Sequence, residues 1–303
     1  MAIMEHTPEK DSADLSQRFI FDDADIRGET VHLEKALQDI LGVHQYTPAV
    51  SQLIGEFLAA AVLLSTTLKF DGKLILQARS EGEIPLIMVE CSNELQIRAI
   101  ARGAEQATST EFSQLLSNGQ LAITVDPQRG NRYQSVVPLG EGSLAHSLDA
   151  YFQQSEQLAT RFWLAADAQR AGGLLLQQLP TQTIDDQARR QAQWQHACAL
   201  ATTVKAEELL ALPAQQLLHR LYHENPVRLF QPSPVAFQCS CSRERTFSAL
   251  ATIDTRELEK ILHEQGSITM DCEFCNQQYR FEKEDLAALF TGKISETGSR
   301  TVH

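Results

Sequence analysis

The sequence predicts an α+β fold: a mostly antiparallel sheet domain with one long buried helix, then a helical linker and a small C-terminal domain. Three observations carry this. Short alternating runs punctuated by Gly, Asn and Asp recur through residues 15–181, a single long apolar helix pattern interrupts them, and a Gln-rich stretch without strand character precedes a cysteine-bearing end.

Residues 1–14 are polar, offer no apolar stretch suited to a secretory signal, and are expected to be a disordered extension. Residues 18–23 and 29–33 alternate like short strands separated at Arg27-Gly28. Thr47-Pro48 is a helix start, a capping hydroxyl followed by proline in the first turn. Apolar residues then recur through Val50, Leu53, Ile54, Phe57, Leu58, Ala61, Leu64 and Leu68, so this helix should be nearly buried. Strand-like runs follow at 73–78, 84–91, 95–101, 121–125 and 133–138, with turn chemistry at Asp71-Gly72, Glu81-Gly82, Ser92-Asn93, Asn118-Gly119 and Arg129-Gly130. Ser143 is an N-cap for a helix over 144–154, and 162–166 with 174–179 read as strands around a Gly172-Gly173 turn. The α+β domain therefore spans 15–181.

Residues 182–235 read as a linker of short helices broken at Pro213 and Pro226. Leu209, Leu210, Leu217, Leu218 and Leu221 are too many apolar residues for a solvated tether, so the linker should lie on the first domain. Pro232 and Pro234 mark a boundary, beyond which 236–290 form the small domain and 291–303 a tail.

The 303 residues carry 26 Lys+Arg against 39 Asp+Glu, a net charge of -13, which argues against tracking a phosphate backbone. The longest uninterrupted apolar run, 57–64, is far shorter than the roughly 20 residues of a spanning helix. Neither nucleic acid nor membrane is expected as a partner, and the protein is expected in the cytoplasm. Thiols clustered in a reducing compartment point to metal or redox chemistry.

Four of the six cysteines cluster. Cys239-Ser240-Cys241 is followed, 30 residues later, by Cys272-Glu273-Phe274-Cys275. Two close thiol pairs on separate turns are what a tetrahedral S₄ site needs. Zinc is the first choice of ion; an iron-sulfur cluster suits the tight Cys-X-Cys pair less well. A static zinc ribbon is one reading. The other is a redox switch, because a Cys-X-Cys pair keeps its sulfurs adjacent without metal and can close a short, reducible disulfide. Arg243, Arg245 and Arg280 are near enough in sequence to favour thiolates. Residues 236–303 carry 8 basic and 11 acidic residues, again unlike a nucleic-acid ribbon. So small a unit commonly needs a metal to stay folded.

Cys91 and Cys198 are isolated and read as small buried hydrophobes. His219 and His223 share a helix face but lack a third ligand nearby. The chain holds no Gly-rich phosphate loop after a strand, no nucleophile elbow and no HExxH, and is read as a non-enzyme with no catalytic residues.

The run 239–244, the 30-residue gap and 266–281 (GSITMDCEFCNQQYRF), together with 67–77 (TLKFDGKLILQ), 135–157 (SVVPLGEGSLAHSLDAYFQQSEQ) and 171–180 (AGGLLLQQLP), resemble the redox-regulated 33-kDa heat-shock chaperone family. The resemblance covers roughly residues 15–290. It implies an ATP-independent holdase, inactive when reduced with one Zn²⁺ per chain on Cys239, Cys241, Cys272 and Cys275. Peroxide or hypochlorous acid would form two disulfides, release zinc, unfold the C-terminal region and its neighbouring linker, and expose surface for unfolding client proteins. The family dimerises when oxidised and passes clients to ATP-dependent chaperones. Closing a short loop costs less entropy than closing a long one, so the expected pairs are Cys239-Cys241 and Cys272-Cys275. A static zinc-ribbon binding protein and a thiol oxidoreductase are the alternatives.

Overall fold

A computed structural model describes residues 14–140, 142–155, 158–181 and 184–290. The expected extension up to residue 13 and the tail 291–303 lie outside the described residues. Asp14 does not share the extension's expected disorder: it is buried, and its carboxylate accepts the backbone N–H groups of Glu34 and Ala36, the latter at 2.9 Å. The chain divides after Gln238 into two units.

The first unit runs β1 (Leu15–Phe21), β2 (Ile26–Leu33), α1 (Lys35–Leu41), α2 (Pro48–Thr67), β3 (Gly72–Arg79), β4 (Leu86–Ser92), β5 (Gln96–Arg102), α3 (Phe112–Leu115), β6 (Gly119–Pro127), β7 (Tyr133–Leu139), α4 (Leu144–Ser155), β8 (Thr160–Ala166) and β9 (Ala171–Gln178). It continues through α5 (Gln187–Ala201), α6 (Ala206–Ala211), α7 (Ala214–Tyr222), β10 (Val227–Leu229), β11 (Ser233–Pro234) and β12 (Ala236–Phe237). One sheet has the order β10-β1-β2-β9-β8, with β11 also on β1, and is antiparallel throughout. The other has the order β12-β5-β4-β3-β6-β7 and is antiparallel except where β12 joins β5.

The helix α2 starts where its sequence says it should, with the Thr47 hydroxyl accepting the Val50 N–H and Pro48 in the first turn. It packs against strands of both sheets, so nearly every residue from Val50 to Ser65 is buried. In length and composition it could cross a membrane, but it is the core helix of this unit and most of its apolar window is inside the protein.

Strand alternation sends the first sheet's side chains two ways. Val31, Leu33 and Leu175 join the α2 core, while Phe19, Phe21, Ile26, Leu174 and Leu176 face a second core with Trp194, Ala197, Leu209, Leu210, Leu217, Leu218, Leu221 and Tyr222. The helices α5 to α7 are therefore docked on that sheet. The Tyr222 hydroxyl donates to the Ala197 carbonyl (3.1 Å), Arg190 pairs with buried Asp25 (3.3 Å), and His32 Nε2 donates to the Leu210 carbonyl (2.9 Å).

Two glycine assignments change. Arg27-Gly28 is not a break between strands: Gly28 lies inside β2, where an added Cβ would sit 2.0 Å from the Phe19 ring, and the turn falls at 22–25. Gly172-Gly173 is not a turn either. Both lie within β9, and Asp167 makes the turn by accepting the Gln169 and Arg170 N–H groups. A Cβ on Gly172 would stand 2.2 Å from the Leu209 carbonyl oxygen, so glycine here lets α6 rest directly on the sheet. Gly172→Ala is expected to cost about 1–3 kcal/mol by overpacking. Denaturant unfolding should show the loss, and limited proteolysis should show earlier cleavage within 187–222.

The stretch read as helical also ends differently. β10 pairs with β1 through Phe19↔Leu229, β11 through Ser16↔Ser233, and Pro232 precedes this edge strand while Pro234 lies within it. Proline tolerates an edge, where a missing N–H breaks no ladder.

The second unit comprises α8 (Arg243–Leu250), α9 (Thr255–Gln265), β13 (Ser267–Asp271), β14 (Gln278–Glu282) and α10 (Lys283–Phe290), with β13 and β14 forming an antiparallel hairpin. Among the described residues its buried core is small: Leu250, Leu258, Ile268, Phe281 and Leu286.

Candidate metal centre

Two local structures bring the four clustered cysteines together. Cys239 and Cys241 lie on the extended segment before α8, whose N-cap Ser242 accepts the Arg245 N–H. Cys272 and Cys275 lie on the turn of the β13–β14 hairpin. There the Cys272 carbonyl accepts from Cys275 N (3.2 Å) and Asn276 N (2.7 Å), while Cys272 N–H donates to the Gln277 carbonyl (2.9 Å). Asn276 takes the left-handed conformation that closes the turn (φ 55°), which asparagine tolerates better than most residues.

All four Sγ atoms lie within 4.8 Å of one another, with Cys239 to Cys272 at 3.6 Å and Cys241 to Cys275 at 3.5 Å. Four sulfurs about 2.3 Å from a central zinc would form a tetrahedron with edges of about 3.8 Å. The donor set and its spacing fit such an ion. Burial first, then the neighbouring sulfurs, push the Cys272 and Cys275 thiols up, so four thiolates at this spacing call for a cation. Among the described residues this is the one group of His, Cys, Asp and Glu side chains placed to hold a metal.

Tyr279 was not singled out by sequence reasoning. Its hydroxyl donates to Cys241 Sγ at 3.1 Å, and that bond, with the neighbouring sulfurs, holds the phenol at about 12. A donor to sulfur favours the thiolate form. The available signal was its place four residues after Cys275, opposite Met270 across the hairpin.

The three arginines read as thiolate partners are engaged elsewhere. Arg243 donates to the Arg280 carbonyl (2.7 Å) and Asp285 (2.8 Å) and lies over the Phe281 ring, Arg245 donates to the Ser240 carbonyl, and Arg280 pairs with Glu282. They brace the segments that carry the cysteines. Cys91 is buried in β4 and Cys198 half-buried in α5, and burial pushes each thiol up to about 12, which disfavours the reactive thiolate in both. His219 on α7 and His223 at its C-cap are exposed, with ring centroids 6.0 Å apart.

The family model described as Hsp33 protein matches residues 14–282. The chain belongs to the Hsp33 family. It is 53% identical over 294 residues to the 33 kDa chaperonin of Pseudomonas paraeruginosa, covering 96% of this chain and 99% of that one. It is 52% identical over 294 residues to the protein of that name from Pseudomonas aeruginosa, with the same coverage. The solved Hsp33 homologue of Thermotoga maritima shares the fold, with a TM-score of 0.79 over 92% of this chain and 99% of that chain at 21% identity. The α+β architecture predicted from the sequence is the Hsp33 architecture.

Proposed function

We propose that this chain is a redox-regulated, ATP-independent holdase that is inactive when reduced, when Cys239, Cys241, Cys272 and Cys275 would hold one Zn²⁺. The observation that carries the reading is the cluster of four sulfurs in a unit with few buried apolar side chains. A bound zinc would supply cross-linking of the two cysteine segments, and with it much of this unit's folding free energy. Pairing the thiols as disulfides removes those ligands. Each disulfide forms with loss of two protons and two electrons, accepted by peroxide as it becomes water or by hypochlorous acid.

In this reading loss of order spreads from residues 239–290 into α5 to α7, which rely on docking. The uncovered outer face of the first sheet, with Phe19, Phe21, Leu174 and Leu176, is apolar surface for unfolding clients. The reading extends to a cytoplasmic protein that dimerises when oxidised, returns clients to ATP-dependent chaperones, binds neither nucleic acid nor membrane, and catalyses no reaction.

Suppression of client aggregation before and after peroxide tests it. Activity that appears only after oxidation supports the holdase. A static zinc ribbon would instead be inactivated, and a thiol oxidoreductase would transfer disulfides at catalytic amounts.

The pairing has its own test. In the folded unit the two sulfur contacts of 3.5 and 3.6 Å join different motifs, so a bond made there could cross-link Cys239 to Cys272 and Cys241 to Cys275. With the intervening residues disordered, loop-closure entropy favours Cys239-Cys241 and Cys272-Cys275. Peptide mapping of the oxidised chain is expected to recover the pairs within motifs. Mainly cross-motif bonds would mean that oxidation precedes unfolding.

A further inference from the structure

Just before Cys239, the chain adds β12 to the outer edge of β5. The Ala236 N–H donates to the Leu95 carbonyl (3.2 Å) and the Gln238 N–H to the Ile97 carbonyl (3.1 Å), in parallel register with Phe237 opposite Ile97. Burial alternates along the segment: Val235 is 3% exposed and Phe237 half-buried, both against the α2 core, while Pro234, Ala236 and Gln238 face solvent. So short a parallel strand gains little from pairing alone, and its hold rests on these two side chains and on the Val235 N–H, which donates to the Asp14 carbonyl (3.0 Å). Further along β5, the Tyr46 hydroxyl accepts the Ala101 N–H (3.1 Å), which bounds the slot.

We propose that the β12 slot on β5 is a client-binding edge, opened when β12 lifts away and filled by an extended segment of an unfolding protein. This rests on the reading of the chain as a holdase released by oxidation, because β12 is joined through Gln238 directly to the first cysteine. The partner's chemistry follows from what the slot already accepts. Main-chain hydrogen bonds to Leu95 and Ile97 make no demand on sequence, and two apolar side chains at alternate positions fill the places of Val235 and Phe237. Unfolded chains present such segments freely, whereas folded proteins keep them paired.

The full-length chain tests this with a photoreactive amino acid in place of the half-exposed Gln96 on β5 and two probes: the synthetic peptide SPVAFQ, which repeats residues 233–238, and reduced, unfolded lysozyme. Hydrogen exchange at the Ala236 and Gln238 amides reports whether β12 is seated. Both amides are expected to be protected in the reduced, zinc-loaded chain, with no cross-link to either probe. After peroxide they should lose protection, both probes should cross-link, and excess SPVAFQ should abolish the lysozyme cross-link. A peptide with Asp at both apolar positions should not compete. Persistent protection of the two amides in an oxidised chain that holds lysozyme would overturn the proposal, as would lysozyme capture without a cross-link at position 96. A reduced Phe237→Asp variant separates this from the functional reading. If oxidised wild type holds no lysozyme, the holdase reading fails, yet SPVAFQ cross-linking to that variant would still support the slot and its absence would overturn it.

Discussion

Cys272→Ser is expected to abolish zinc binding and to unfold residues 239–290 together, because the two losses are one event. The buried core of Leu250, Leu258, Ile268, Phe281 and Leu286 is too small to offset the chain entropy of a unit this size. A structural zinc contributes an apparent ~10–16 kcal/mol in small domains, more than the net stability of most such folds. Metal analysis should show the loss of one zinc per chain, and hydrogen exchange should show loss of protection across β13 and β14. The same result is expected for Cys239→Ser, Cys241→Ser and Cys275→Ser. Cys91→Ser and Cys198→Ser should retain zinc, since neither thiol belongs to the cluster of four. Full metal stoichiometry in Cys272→Ser would sink the four-ligand assignment.

A chain ending at Gln231 is expected to hold unfolding clients without oxidant and to ignore both peroxide and zinc. The cut removes the cysteine cluster, β11 and β12, while β10 and the helices α5 to α7 remain. Helices of 15, 6 and 9 residues are marginal in isolation, so their order depends on docking against Phe19, Phe21, Leu174 and Leu176. Aggregation assays with equimolar truncated and reduced full-length chain should show suppression by the first only. A chain ending at Gln238 keeps β12 and should be less active, to the extent that the β5 edge contributes. If the Gln231 chain is folded and soluble yet inert, the client surface lies in the unfolded C-terminal residues and the linker is not a cover.

The cysteine cluster was legible in the sequence because it is written in short spacings: two thiols in each of two short segments, with 30 residues between them. So were α2, with its Thr47-Pro48 start, and most strands of the second sheet, whose alternation and turn residues are local signals. Tyr279 was not legible, because a phenol reaching a sulfur depends on which strand lies beside it. The arginines misled for the same reason. Proximity in sequence placed them near the thiols, but the fold turned them toward carbonyls, carboxylates and the Phe281 ring.

What the sequence alone determined is what a few neighbouring residues can encode: the α+β class, the buried helix, the cysteine pairs and the excess of apolar residues that keeps the linker from being a free tether. The tertiary structure decided which surfaces meet. Gly172 looks like a turn residue in sequence and proves to be the place where α6 touches the sheet, 37 residues further along the chain at Leu209. The return of β10 and β11 to β1, the addition of β12 to β5 and the cross-motif approach of the sulfurs are likewise pairings between distant segments. Their stability comes from buried area and backbone hydrogen bonds that exist only once both partners are in place, so no local pattern in either segment announces them.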